Sequence, residues 1–174
     1  MKKLSLLFIF FLAVTVVKAQ DRSDDRNAFA ISPAFELGLP NQSVYSVGLG
    51  GSLKVEAPVI KHFSITATGG ISSFHYKDGL SEALGRSLGS NTFVPLKGGV
   101  KFYGGPGFYL EAEAGNVFQT TNDKRSLFAY AIGPGFVVPV HGGKSGVDVG
   151  FRYERWSQGE LRQTALRIGY RFGW

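Results

Sequence analysis

Gln163-Thr164-Ala165-Leu166-Arg167-Ile168-Gly169-Tyr170-Arg171-Phe172-Gly173-Trp174 reads in period two. Leu166, Ile168, Tyr170, Phe172 and Trp174 share one side of an extended chain. Gln163, Ala165, Arg167, Gly169, Arg171 and Gly173 share the other, because successive side chains of a strand point to opposite faces. One side is apolar and aromatic; the other is mostly small or cationic. The segment before it repeats the pattern, with Val147, Val149, Phe151 and Tyr153 against Asp148, Gly150, Arg152 and Glu154. Neither stretch follows a helical period.

Six more segments alternate in the same way toward the amino terminus: residues 126–140, 107–118, 92–103, 62–74, 43–56 and 29–39. Their apolar parity carries, for example, Phe128 and Ile132, Phe108 and Leu110, Leu96 and Val100, Phe63 and Ile65, Leu53 and Val55, and Phe35 and Leu37. Each segment is near the length of about 9–11 residues that a tilted strand needs to cross a hydrocarbon layer. The pattern predicts an all-β, eight-stranded antiparallel up-and-down barrel over residues 29–174. Pro33, Pro95, Pro134 and Pro139 fall inside these segments. Proline gives no ladder hydrogen bond, so bulges are expected there.

Composition points the same way. Gly 24 and Pro 7 make 31 of 174 residues, yet aromatics reach 14%, so turns and strands are favoured over a disordered linker. Charged residues at 18% and a mean hydropathy of +0.03 exclude a coiled coil and a polytopic helical membrane protein. The absence of cysteine removes disulfide frameworks, thiolate metal sites and cysteine nucleophiles.

Lys2 and Lys3, the apolar run 4–17 and Val17-Lys18-Ala19 before Gln20 read as a cleaved signal peptide over residues 1–19. A polar periplasmic tail over residues 20–28 is expected to follow. Removing the leader leaves 174 − 19 = 155 residues and takes away three lysines, so 16 basic residues face 13 acidic ones. The net charge falls from +6 to +3. The remaining cations are scattered, and no nucleic-acid partner is expected.

The connections alternate in character. Residues 57–61, 104–106 and 141–145 are short and rich in Gly and Pro or otherwise turn-forming. At the other end lie a long connection before Asn91, residues 119–125 and residues 157–162, with the short 40–42 as the exception. Short turns at one end and longer loops at the other are expected of an outer-membrane barrel.

Parity alone does not say which face is outside, since a soluble lipocalin-like carrier also alternates. Two features favour the apolar face outward. The polar parity is rich in Gly, Ala and Ser, as a narrow interior requires. Its charges also cancel: Lys54, Lys97, Lys101, Arg152, Arg167 and Arg171 against Glu36, Glu56, Glu111, Glu113, Asp148 and Glu154. Buried charges are tolerated when paired. Expected partners are Lys97 and Lys101 with Glu111 and Glu113 across one hairpin. Between the last two segments, Asp148 is expected with Arg171, or Glu154 with Arg167.

The terminal pattern Arg167-x-Gly169-x-x-Phe172-x-Trp174 resembles the β-signal that outer-membrane barrels present to the barrel-assembly machinery. With the leader and eight segments, the chain is similar to the small eight-stranded outer-membrane β-barrels, such as the transmembrane domain of outer membrane protein A and outer membrane protein X. That resemblance implies a monomer in the outer membrane, in contact with its lipid and lipopolysaccharide. It implies recognition by the assembly machinery through Gly169, Phe172 and Trp174. Tyr45, Tyr103, Phe108, Phe128, Tyr153, Trp156 and Trp174, all near segment ends, are assigned to interfacial aromatic girdles.

Chemistry is sparse. His62, His75 and His141 are too dispersed for one metal, and no cofactor is expected. Ser73 and His75, with Asp78 or Glu82 as orienter, form the one nucleophile arrangement. It matters because some eight-stranded barrels modify lipid A, although no motif of those enzymes is present. Gly143-Lys144-Ser145 lacks the upstream glycine and following helix of a phosphate-binding loop. Leu80, Leu84 and Leu88 stand at helical spacing in the loop 79–90, which is the leading candidate for surface recognition. The expectation is a structural or surface-interaction protein with a side-chain-filled lumen. A lipid A modifying enzyme, a soluble periplasmic carrier and a small pore are the rivals.

Overall fold

A computed structural model describes residues 28–41, 43–77, 89–121, 125–140, 143–157 and 161–174. The expected leader 1–19, the tail 20–27, Asp78, Glu82, His141 and nearly all of the loop 79–90 lie outside the described residues. Eight strands form, β1 (Ala30–Asn41), β2 (Tyr45–Ile60), β3 (Phe63–Tyr76), β4 (Asn91–Tyr103), β5 (Phe108–Gln119), β6 (Ser126–Pro139), β7 (Gly146–Trp156) and β8 (Arg162–Gly173). Each pairs antiparallel with its sequence neighbours, and β1 pairs with β8 to close the barrel. Trp174 N–H donates to the Phe29 carbonyl at 3.0 Å, at one end of that seam.

The alternation read from β8 governs the whole wall. Arg167 and Arg171 are buried inside, whereas Ile168, Phe172 and Trp174 are exposed outside. Around the barrel the outward parity carries the large apolar side chains, with Ile132 60% and Ile60 62% exposed. No helix among the described residues is long and apolar enough to cross a membrane. In lipid, backbone groups must be satisfied internally, and a closed barrel does so with strands alone.

The prolines do not produce the expected bulges. Register is constant through Pro33, Pro95 and Pro134; instead the pairing lapses beside each, in β1–β8, β3–β4 and β6–β7. A missing N–H removes one link on one side of the strand without adding a residue, so nothing forces the register to shift. Pro139 ends β6. The register shifts fall at Tyr45/Val47 and Pro58/Ile60. The second lets β2 continue through the expected turn 57–61, leaving only residues 61–62 between strands. His62 takes a φ of 75°, the left-handed conformation such a tight reversal demands.

Close strand approach explains two glycines. A Cβ at Gly115 would run into the Leu96 carbonyl oxygen and Lys97 Cα, and at Gly133 into the Phe151 carbonyl oxygen and Arg152 Cα. Backbone cannot move aside as a flexible side chain can. Gly115→Val and Gly133→Val are each expected to destabilise by about 1–3 kcal/mol. Gly105→Ala, with nothing within 4 Å, should be neutral. Urea titration of the barrel in detergent micelles checks all three.

Candidate functional site

The lumen is built in three layers. Toward the end where residues 77–90 and 157–161 connect strands, Phe74, Phe93, Val117, Leu127, Trp156 and Leu161 pack together, with Tyr45 against them. Toward the opposite end, Tyr103, Tyr109 and Val137 form a second apolar layer. All twelve charges of the inward parity lie between or beside these plugs. Cavities inside the lumen are small. One of about 20 Å³ is bordered by Lys54, Glu111 and Arg152, and one of about 10 Å³ by Glu36 and Gln163.

The charges form a single alternating path. From Glu111 it runs to Lys54 (2.5 Å), Glu113 (3.3 Å), Lys97 (3.7 Å) and Glu154 (2.9 Å). It continues to Arg152 (2.9 Å), Glu36 (2.7 Å), Arg167 (3.9 Å) and Asp148 (2.9 Å). Lys101 (4.0 Å), Glu56 (3.0 Å) and Arg171 (3.4 Å) complete it. Signs alternate at every step, so each interior member meets two counter-ions.

The path links strands that do not pair with each other. Lys54 on β2 reaches Glu111 on β5 and Lys97 on β4 reaches Glu154 on β7, each three strands away, while Arg152 on β7 reaches past β8 to take Glu36 on β1 through two guanidinium nitrogens at 3.2 and 2.7 Å. β3 joins through the Thr68 hydroxyl, which donates to Glu113 at 2.6 Å. The plugs are bonded to the path: Tyr103 donates to Glu56, Tyr109 to Asp148 and Trp156 Nε1 to Glu154, each at 2.6 Å. The Lys101 ammonium also lies 4.1 Å from the Tyr109 ring centroid.

Several expected partners differ. Asp148 pairs with Arg167, Arg171 with Glu56 and Glu154 with Lys97 and Arg152, so neither expected pair between β7 and β8 forms. Of the β4–β5 hairpin pairs, only Lys97–Glu113 at 3.7 Å is a close contact. Long side chains in a narrow barrel reach partners on the next strand, as Asp148 does to Arg167, or up to three strands away, as Glu154 does to Lys97, and hairpin register alone does not choose among them. Tyr103 and Trp156 are lumen plugs, not girdle aromatics, and half-buried Tyr45 packs against the plug. The parity of Lys101 and of Glu154 already places Tyr103 and Trp156 inside. The register shift at Tyr45/Val47 turns Tyr45 inward, which no pattern in the sequence signals. Phe128, Tyr153 and Trp174 are exposed outside, and the Phe108 ring packs tilted against outward Phe136, centroids 5.1 Å apart. Tyr109, Phe74 and Phe93 are the inward aromatics that no motif singled out.

The remaining candidates lie on the wall. Ser73 and His75 both take the outward parity beside β2, and no hydrogen bond joins them among the described residues. No group of three or more potential metal ligands occurs among the described residues. Gly169 packs where a Cβ would meet the Pro33 carbonyl oxygen and Ala34, while Phe172 and Trp174 face outward.

No protein-family model matches the chain, and no curated protein matches it. Solved structures do. The outer membrane protein Ail of Yersinia pestis in a phospholipid bilayer nanodisc aligns at 14% identity, over 83% of this chain and 99% of that one, with a TM-score of 0.54. The N-terminal β-barrel domain of Pseudomonas aeruginosa OprF aligns at 10% identity, over 82% and 97%, with a TM-score of 0.51. A de novo designed transmembrane β-barrel gives 14% identity, 82% and 95%, and a TM-score of 0.51. The fold is that of the small eight-stranded outer-membrane β-barrels. At these identities the likeness concerns backbone architecture.

An interior link of the path should matter more than its end. Glu154→Gln leaves Lys97 with only the 3.7 Å contact to Glu113 and weakens the acceptor of Trp156. A loss of about 3–5 kcal/mol is expected, as for a broken buried pair. Glu111→Gln removes the terminal anion, one of whose oxygens has no hydrogen bond, and Lys54 keeps Glu113. Its cost should be about 1–2 kcal/mol. Urea unfolding in micelles, followed by tryptophan fluorescence, distinguishes the two.

Proposed function

We propose that this chain is an outer-membrane β-barrel protein that anchors in the envelope as a monomer and acts through its surface, not through a pore or a catalytic centre. One observation carries the reading: an apolar outer wall encloses an ionic path that is internally neutralised and plugged by aromatics at both ends. An interior of eight strands leaves room for side chains and little else. A soluble carrier of the same topology would place its apolar side chains inward, around a ligand cavity.

Export through residues 1–19 and insertion by the assembly machinery, reading Gly169, Phe172 and Trp174 on β8, complete the proposal. Both chain ends then lie on the periplasmic side, and the connections 77–90, 120–125 and 157–161 face outward from the cell. Exposed Phe172 on β8 and Trp174 just after it supply the apolar contacts such recognition needs.

Fractionation is the direct test. The protein should remain with the outer membrane after osmotic shock and run faster on a gel before boiling than after. Release into the shock fluid would restore the carrier. In planar bilayers no steady conductance is expected; a stable open level would restore the pore. His75→Ala should leave the cell's lipid A species unchanged by mass spectrometry, and loss of a modified species would restore the enzyme.

A further inference from the structure

Every acidic residue among the described ones belongs to the lumen path: Glu36, Glu56, Glu111, Glu113, Asp148 and Glu154. The outer wall therefore holds no described acid. It does hold two arginines on the strands themselves. Arg155 on β7 and Arg162 on β8 take the outward parity and are direct cross-strand partners. The hairpin is closed above them by Trp156 N–H donating to the Leu161 carbonyl at 2.9 Å, which fixes the two opposite each other. Like charges directly opposite destabilise a strand pair. Neither arginine has a hydrogen bond or ion pair among the described residues.

We infer that Arg155 and Arg162 form a binding site for the phosphate group of a lipid headgroup on the barrel's outer wall. Their position suits that ligand. Asn41 flanks Arg162 on β1, and Tyr130 flanks Arg155 on β6, giving a row of donors around the wall. One pair further along lie Thr164, Tyr153 and Leu39, and beyond them the exposed apolar band with Ile132 and Phe151. A headgroup phosphate placed on this row would leave its acyl chains lying against that band. Two guanidinium groups side by side match a phosphate better than two ammonium groups would, because each presents a planar fork of donors. The phosphate would also turn an unfavourable like-charge pair into a bridged one.

The inference rests on the outer-membrane reading, which puts this rim in the outer leaflet. The test uses full-length mature protein in dodecyl maltoside micelles at low salt, where no phosphate is present, with and without diphosphoryl lipid A. The temperature at which the fast-migrating form converts to the slow one is the readout. Lipid A should raise it by about 2–4 °C in the wild type, a typical shift for a modest gain in a domain of this size. R155Q/R162Q should abolish the rise, while matching or exceeding wild-type stability in plain maltoside because the like-charge contact is gone. R155K/R162K should keep part of the rise. An undiminished rise in R155Q/R162Q overturns the site. So does an equal rise from inorganic phosphate at the same concentration, which would indicate a free-anion site. Abolition of the rise by E160Q, with lipid A present, would assign the effect to the neighbouring connection and overturn it as well. Failure of the wild type to show any heat-dependent migration would refute the outer-membrane reading itself, a result separate from these.

Discussion

Six cations and six anions alternate along one path through a barrel too narrow to hydrate them, and the rest of the structure depends on that alternation. An ion removed from water loses several kcal/mol of solvation, and only close opposite charges and hydrogen bonds recover it. An interior anion such as Glu154 sits within 2.9 Å of both Lys97 and Arg152. Sign alternation gives every interior member that environment and keeps the whole path neutral. Such a network is not needed for raw stability, since apolar packing of equal volume often does as well. Its consequence is specificity. Slipping one strand by one residue would drive its charges into the apolar exterior and its aliphatic side chains inward. Six strands contribute charges, and each is held in register by that penalty.

The two strands without inward charges explain how the path fits. β3 supplies Ser64, Thr66 and Thr68, all buried, of which Thr68 serves Glu113. β6 supplies Ala129, Ala131, Gly133 and Gly135 along the same parity. Those small residues leave the volume into which Lys54, Arg152 and the Tyr109 ring extend. Tyr109 lies where a Cβ at Gly135 would strike its ring. The aromatic layers then cap the ionic path toward both ends while donating hydrogen bonds to Glu56, Asp148 and Glu154. Glycine on one strand, long ionic side chains on the opposite wall and tyrosines beside the path are therefore parts of a single packing solution.

This explains which features were legible in the sequence. Strand number, antiparallel order and wall parity follow from a period of two, which is local. The inward set of charges follows from parity as well. Partner choice does not, because Arg171 on β8 reaches past β1 to Glu56 on β2, a meeting fixed by stagger between strands and by side-chain length. Tyr103 and Trp156 were readable as inward from their neighbours, but nearness to a strand end suggested an interface. Parity was the stronger signal. Tyr45 depended on a register shift, and Pro33, Pro95 and Pro134 left register intact where a bulge was expected. Both concern how backbone irregularities resolve, which short-range pattern does not determine.

Charge segregation has a further physical consequence. Because the lumen takes equal numbers of each sign, it adds no net charge to the barrel. Outside the lumen the strand wall keeps Arg155 and Arg162. The connections carry both signs in the sequence, with Asp78, Glu82, Asp123 and Glu160 beside Lys61, Lys77, Arg86, Lys124, Arg125 and Lys144. The same pairing that makes a buried ionic interior tolerable thus leaves the described strand wall with Arg155 and Arg162 as its charges, and a cationic pair on the wall favours anionic neighbours by simple Coulombic attraction. At physiological ionic strength that attraction reaches only about 8 Å, so it selects what lies directly against the wall. For a barrel embedded in an envelope, that is the layer of headgroups around it.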